Sequence, residues 1–173
     1  MLTATFSLVA LMVEQKTAQR NLAVLQQQLL SASTLIKLED QNYRQAFLQQ
    51  FFQFDDFFCA RNIESFVIPQ IRKKTREADM LLLDLDSLST RAAEIITAIH
   101  REMKQVVEIE DLCGALEQYC RTLSQRLQKE EELLSISQRI ISKEAWFEMA
   151  AFFISQDAKI HTQKITYRPA QFH

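Results

Sequence analysis

The chain has 173 residues and a formal net charge of −2, and it contains a single glycine and two prolines. This length suits one domain. Because β-sandwiches and α/β folds need many tight turns, the shortage of turn residues argues against both, and the mixed charge lacks the basic patch of a nucleic-acid-binding protein. The composition therefore predicts an all-α protein built from long helices.

The N-terminal segment is apolar as far as Val13. It lacks the basic residues of a signal peptide, and Glu14 interrupts it before the ~20 apolar residues that a membrane span requires. We therefore expect the first helix of a cytoplasmic protein that has no contact with membranes. Its apolar stripe has spacings of three and four, as in a bundle helix, and Gln15 is its one polar member. The stripe consists of Leu8, Leu11, Gln15, Ala18, Leu22, Leu25 and Leu29.

The second helix is expected from about Leu38 to Ile68, after a connection with the sequence SASTLIKLED. It is predicted to be the most buried element, because it carries seven phenylalanines, and Pro69 is expected to end or kink it. The phenylalanines are Phe47, Phe51, Phe52, Phe54, Phe57, Phe58 and Phe66. The basic residues that follow, Arg72, Lys73, Lys74 and Arg76, are interpreted as a solvated helix end.

The three cysteines, Cys59, Cys113 and Cys120, are interpreted as buried thiols.

A third helix is expected over about Glu77–Ile109 and a fourth over about Asp111–Ile141. The third has a stripe of Ser89, Ala92, Ile96, Ile99, Met103 and Val106. The fourth has two competing stripes, one of Leu112, Leu116, Tyr119, Leu123, Arg126, Glu130 and Leu133, the other of Cys120, Leu127 and Leu134. Ser142 can cap a short fifth helix. Together these elements predict an antiparallel up-down four-helix bundle over residues 1–155, with a tail at 156–173 that packs on it or is partly disordered.

Four segments carry a family resemblance. They are EQKTAQRNLAVLQQQL in the first helix, CARNIESFVIPQI in the second, RLQKEEELLSI in the fourth and SKEAWFEMAAFF directly after it. Over residues 8–155 they resemble the hemerythrin-like family, four-helix bundles with a two-iron site held by histidines and carboxylates from all four helices. That family carries H-x-x-x-E in its second and fourth helices.

The resemblance implies where the ligands would fall, and the histidines are missing there. The implied positions are Gln15, Cys59, Ile63, the neighbouring Glu64, Ser89, Arg126 and Glu130. A shift of one residue would move the second-helix pair to Ala60 and Glu64. The three histidines of the chain, His100, His161 and His173, lie elsewhere. Because iron needs several converging imidazole or carboxylate ligands and an arginine opposes a cation, we expect no metal and no cofactor.

Arg126 suggests what replaces the metal. The resemblance implies that its side chain lies inside the bundle where the cations would have been, close to Glu130 and Glu64, and we expect Gln15 and Ser89 as neutral partners. The alternative is that Arg126 lies on the outside of its helix and pairs only with Glu130 across one turn.

The sequence offers no candidate catalytic residues, because it lacks a Ser-His-Asp spacing, a glycine-rich phosphate loop and a zinc pattern. We therefore expect a non-enzymatic module, regulatory or partner-binding, that acts with a protein partner or as a dimer. One alternative is a sensor or carrier of a small apolar ligand, held in the former metal cavity near Cys59, Ser89 and Ala92. Another is a metalloprotein with a carboxylate-rich site that uses Glu64 and Glu130.

Overall fold

A computed structural model of the chain describes residues 2–103 and 108–166. Within these ranges it contains seven α-helices, one π-helical turn and no strand, which confirms the all-α prediction. The helices are α1 Leu2–Leu30, α2 Ala32–Lys37, α3 Gln41–Cys59, α4 Ile68–Lys74, α5 Asp79–Glu102, α6 Ile109–Ile140 and α7 Lys143–Thr166; the π-helical turn spans Ile63–Val67. A search of the same residues found no helix that is both apolar enough and long enough to traverse a membrane.

The apolar stripes predicted for α1 and α6 are buried. In α1 every residue of the stripe is buried except Leu8, which is partly buried. In α6 the two competing stripes are both buried, because α5 and α1 both pack against this helix and together cover a broad face. In α5, Ala92, Ile96 and Ile99 are buried, Ser89 and Met103 are partly buried, and Val106 lies outside the described residues.

The predicted second helix is wrong in its bounds. The expected connection contains α2, and α3 begins only after Asp40, whose carboxylate accepts a hydrogen bond of 2.9 Å from the Tyr43 N–H. The helix then breaks after Cys59. Pro69 does not end it: the chain continues through Pro69 as α4, because proline is tolerated in the first turn of a helix, where amide hydrogens have no intrahelical partner. The basic cluster is exposed, as expected, but begins in the last turn of α4.

The C-terminal half also departs from the predicted bounds. The third helix ends at Glu102, and Ile109 begins α6.

Ser142 caps α7 as predicted, accepting from the Ala145 N–H at 3.3 Å. The short fifth helix is wrong, since α7 has 24 residues and continues through residues 156–166 of the predicted tail. That segment has few apolar residues but no glycine or proline that would stop a helix. Residues 167–173 lie outside the described part.

Among the side chains that the structure describes, two clusters of buried residues form the core. The first joins phenylalanines of α3 to α1, α5 and α6; the second joins the π-helical turn, α4 and α7 to the beginning of α5 and the end of α6. Phe47, Phe51, Phe54 and Phe58 are buried, whereas Phe52, Phe57 and Phe66 are only partly buried. Cys113 and Cys120 are buried as predicted, but Cys59 is exposed, because it lies at the end of α3 where the helix breaks.

The first core cluster yields a stability prediction. Phe51 is fully buried against Phe47 and Tyr119, so Phe51→Ala should lower the free energy of unfolding by about 3–5 kcal/mol. Phe147, which is 59% exposed, is the matched control, and Phe147→Ala should change it by less than ~0.5 kcal/mol. Urea unfolding measures both. Equal losses in the two variants would contradict the assignment of α3 to the core.

Candidate functional site

The break after α3 places Arg61 inside the protein. Arg61 is only 1% exposed, although it lies in the irregular stretch between α3 and the π-helical turn. Its Nε donates a 3.0 Å hydrogen bond to the carbonyl of Phe58, and its guanidinium carbon lies 3.7 Å from the centre of the Phe58 ring. Because the last carbonyls of a helix lack intrahelical partners, this bond also stabilises the end of α3.

Arg61 forms a two-pronged ion pair with Glu130 of α6. Its Nη1 donates to Glu130 Oε2 at 2.8 Å and its Nη2 donates to Glu130 Oε1 at 2.7 Å. Arg61 Nη1 also donates to Gln15 Oε1 at 3.2 Å, and Gln15 Nε2 donates to the carbonyl of Leu127 at 2.8 Å. Neither charged side chain is exposed to solvent. An ion pair of this kind is retained in a protein interior only when both partners are fully hydrogen-bonded.

Arg126 supplies a second positive charge to the same carboxylate. Its Nη1 donates to Glu130 Oε1 at 2.8 Å, and its Nη2 forms an ion pair with Glu64 Oε1. Arg126 is 3% exposed. The predicted position of Arg126, inside the protein and close to Glu130 and Glu64, is therefore confirmed, and the alternative on the outside of α6 is wrong. We call Arg61, Arg126, Glu130, Glu64 and Gln15 the guanidinium–carboxylate network.

A carboxylate of α1 holds the chain at the break. Both oxygens of Glu14 accept from the backbone N–H of Asn62, at 2.9 and 3.0 Å, and Oε1 also accepts from the Asn62 side chain at 3.1 Å. Burial raises the pKa of the Glu14 carboxyl, and these hydrogen bonds together with the nearby Arg61 partly offset the effect. Two neighbouring residues of α1 thus hold the break: Gln15 accepts from Arg61, and Glu14 accepts from the adjacent Asn62.

A cavity of about 130 Å³ lies beside the network. Its walls include Asp55, Phe58, Cys59, Glu64, Ser89, Ala92, Ala93, Leu123 and Arg126. The Tyr119 hydroxyl donates to Asp55 Oδ1 at 2.7 Å. Burial raises the pKa of the Asp55 carboxyl and, more strongly, that of the Tyr119 hydroxyl, so Tyr119 keeps its proton and remains the donor. Although Cys59 is exposed as a residue, partial desolvation of its thiol and the nearby carboxylates of Asp55 and Glu64 raise the pKa of that thiol.

Most positions named from the sequence come together here. Cys59, Glu64, Ser89 and Arg126 line the cavity, and Gln15 and Glu130 belong to the network. Ile63 does not, because the π-helical turn directs it into the second core cluster. The alternative alignment, shifted by one residue, places the second-helix ligand pair at Ala60 and Glu64. Of these two residues, Glu64 belongs to the network and Ala60 is exposed.

Ser89 is not the network partner that was expected. Its hydroxyl donates to the carbonyl of Leu85 within α5 at 2.7 Å, so that donor is already used. Among the described residues, the wall of the cavity is where Ser89 meets the site.

Arg61 was not identified from the sequence. The available signal was a single charged residue between the phenylalanines of α3 and the apolar run that precedes Pro69. A projection onto an uninterrupted helix could not show its direction, because the helix is interrupted at residues 60 and 61.

Among the side chains that the structure describes, no three His, Cys, Asp or Glu groups come close enough to hold a metal ion. His100 packs on the ring of Phe52, with ring centres 4.8 Å apart, and lies away from the network. The side chains of His161 and His173 lie outside the described part of the chain.

Comparisons of the chain with protein-family models, with curated proteins and with solved structures found no match. The interpretation of the site therefore depends on its own geometry. That geometry is a balanced group of two guanidinium and two carboxylate groups next to a small cavity.

The buried ion pair predicts a large effect of Arg61. Arg61→Met should cost about 3–5 kcal/mol of stability, because it leaves the buried Glu130 with one cation, and adding Glu130→Gln should recover part of the loss. Arg126→Met should cost less, since Glu130 keeps both bonds from Arg61 and Glu64 is partly exposed.

Urea unfolding of the single and double variants measures this coupling. The control is Arg72→Met, which breaks an exposed ion pair with Asp86 and should cost less than ~1 kcal/mol. If Arg61→Met costs no more than Arg72→Met, the network does not stabilise the fold in the way described.

Proposed function

We propose that the protein is a non-enzymatic relative of hemerythrin-like proteins in which two guanidinium groups take the place of the metal cations, and that it acts as a regulatory or partner-binding module. The observation that carries the proposal is the convergence of Arg61 and Arg126 on the buried Glu130. In this proposal α1, α3, α5 and α6 are the four helices of an antiparallel up-down bundle, and α7 is an additional helix.

Charge and hydrogen-bonding capacity support the replacement. Arginine keeps its proton and offers five N–H donors, so it can satisfy several carboxylate oxygens at once. Two guanidinium groups balance the charges of Glu64 and Glu130 without any ion. A divalent cation at this place would be repelled by two fixed positive charges, and the implied ligand positions provide no imidazole.

The same contacts favour a non-enzymatic role. Glu130 Oε1 accepts from both arginines and Oε2 accepts from Arg61, so both oxygens are engaged. A general acid or base needs a protonation site within reach of a substrate. Glu130 has no exposed surface and offers none.

The two alternatives differ in support. A carboxylate-rich metal site would have to draw Glu64 and Glu130 away from the arginines that they pair with. A sensor or carrier of a small ligand has the cavity in its favour. The cavity walls include Asp55, Glu64 and Arg126, so they are not suited to a purely apolar ligand.

The proposal predicts that the wild-type protein does not retain metal. After dialysis against ferrous iron or zinc and removal of free ion, we expect far less than one metal per chain by elemental analysis, and chelator should leave the unfolding midpoint unchanged. Stoichiometric metal whose removal destabilises the protein would contradict the replacement of metal by guanidinium groups.

A variant with histidine at the four implied ligand positions serves as the positive control: Gln15→His, Cys59→His, Ser89→His and Arg126→His. It removes one of the two cations and supplies imidazoles, so it should bind cobalt(II) with visible absorption bands. Failure of this variant to bind cobalt would count against the assigned ligand positions.

Self-association is supported by an exposed apolar face of α1. Phe6, Val9 and Val13 follow at spacings of three and four and are 44%, 52% and 59% exposed. Monomeric proteins seldom expose contiguous apolar patches of large area, and such patches often mark interfaces. The proposed occupant of this face is a second copy of the chain.

The dimer prediction is tested by sedimentation equilibrium. Wild-type protein should show a concentration-dependent dimer, and Val9→Glu combined with Val13→Glu should weaken dimerisation by at least about tenfold, since charges are costly in an interface core. Leu30→Glu is the control, because Leu30 is 73% exposed at the other end of the same helix and lies about 100° around the helix axis from Val13. A wild-type protein that stays monomeric throughout would refute self-association through this face.

A further inference from the structure

One donor and one carboxylate oxygen beside the cavity make no hydrogen bond with any described residue. The donor is Arg126 Nε, and the oxygen is Glu64 Oε1, which is held by its ion pair with Nη2 of Arg126. Both residues line the cavity. Since buried polar groups in native proteins are nearly always hydrogen-bonded, two such atoms at one cavity indicate a polar binding site.

The charges of the walls restrict what can bind. Asp55, Glu64 and Arg126 give the lining a formal charge of −1, because two carboxylates face one guanidinium whose Nη atoms already contact carboxylates. An anion would therefore be repelled, and a purely apolar molecule would give Arg126 Nε no acceptor. Phe58 and Leu123 add apolar surface to the same walls.

We propose that this cavity binds a small neutral molecule with a carbonyl oxygen and N–H donors, that is, a small primary amide. The carbonyl oxygen would accept from Arg126 Nε, the amide N–H would donate to Glu64, and the alkyl part would pack on Phe58 and Leu123. A volume of about 130 Å³ accommodates about five or six non-hydrogen atoms, since an apolar cavity of about 150 Å³ holds benzene. This inference goes beyond the proposed function, because it uses only the cavity and its walls, with or without a hemerythrin-like origin.

The first test compares three molecules of similar size on the ¹⁵N-labelled full chain. Propanamide should cause saturable shifts in amide signals of residues around the cavity, with a Kd in the millimolar range that is expected for so few atoms. Propanoate and propylammonium should bind at least about tenfold more weakly, because one is repelled by the carboxylates and the other offers Arg126 Nε no acceptor. Equal or tighter binding of either ion, or of benzene, would overturn the proposal of a neutral amide ligand.

The second test places the site. Ala93 lines the cavity but is exposed, so Ala93→Leu should fill space without disturbing the fold and should abolish the propanamide shifts. Ala98→Leu, on the same helix but away from the cavity walls, is the matched control and should retain them. Unchanged binding in Ala93→Leu would overturn the assignment to this cavity.

Cys59 gives an independent readout. It lies in the cavity wall and is exposed, whereas Cys113 and Cys120 are buried. Saturating propanamide should therefore slow the alkylation of Cys59 by iodoacetamide several-fold, measured by mass spectrometry at fixed pH, and propanoate should not. Equal rates with propanamide and propanoate would count against occupation of the cavity.

Discussion

The charge of Glu130 is the constraint on which the surrounding structure depends. A carboxylate with no exposed surface cannot be solvated by water, so the protein must provide cations and donors for it from nearby elements. Arg61 arrives from the break after α3, Arg126 from one turn earlier in α6, and Gln15 of α1 orients Arg61. Three separate parts of the chain must therefore meet at one point before this charge is stabilised.

The backbone is also interrupted near this charge, at the break between α3 and the π-helical turn. Leaving helical geometry exposes backbone groups, and here side chains satisfy two of them: Arg61 Nε bonds the Phe58 carbonyl and Glu14 bonds the Asn62 N–H. The π-helical turn that follows brings Glu64 to Arg126 and Ile63 to the second core cluster. Such turns occur frequently at functional sites. In this protein the turn joins the network to the cavity.

How far the sequence predicted this structure depends on the range of the interactions involved. The stripes of α1 and α6 were predictable because a buried face repeats with the helical period. Arg126 lies in one of the two competing stripes of α6, and its expected place inside the protein came from the family resemblance, because periodicity alone did not choose between them. The position of Arg61 was not predictable, since it depends on Gln15 and Glu130, which are distant in sequence. The path through Pro69 was not predicted either, because the proline lies in the first turn of a new helix instead of at the end of the previous one. The length of α7 was underestimated because periodicity reports a buried face, whereas a helix continues wherever no residue stops it.

The position of Arg126 connects the two halves of the site. Its Nη atoms contact Glu130 and Glu64, its Nε makes no hydrogen bond with the described residues, and the residue lines the cavity. A ligand that accepts a hydrogen bond from Nε would therefore contact the same guanidinium group that, together with Arg61, donates to Glu130. Glu130 is linked through Arg61 to Gln15, which lies on α1 two residues after the exposed Val13. Such a chain of contacts transmits a signal only if the ligand has different affinities for two arrangements of the network. A regulatory role thus requires Arg126 to hold Glu64 and Glu130 differently when the cavity is filled.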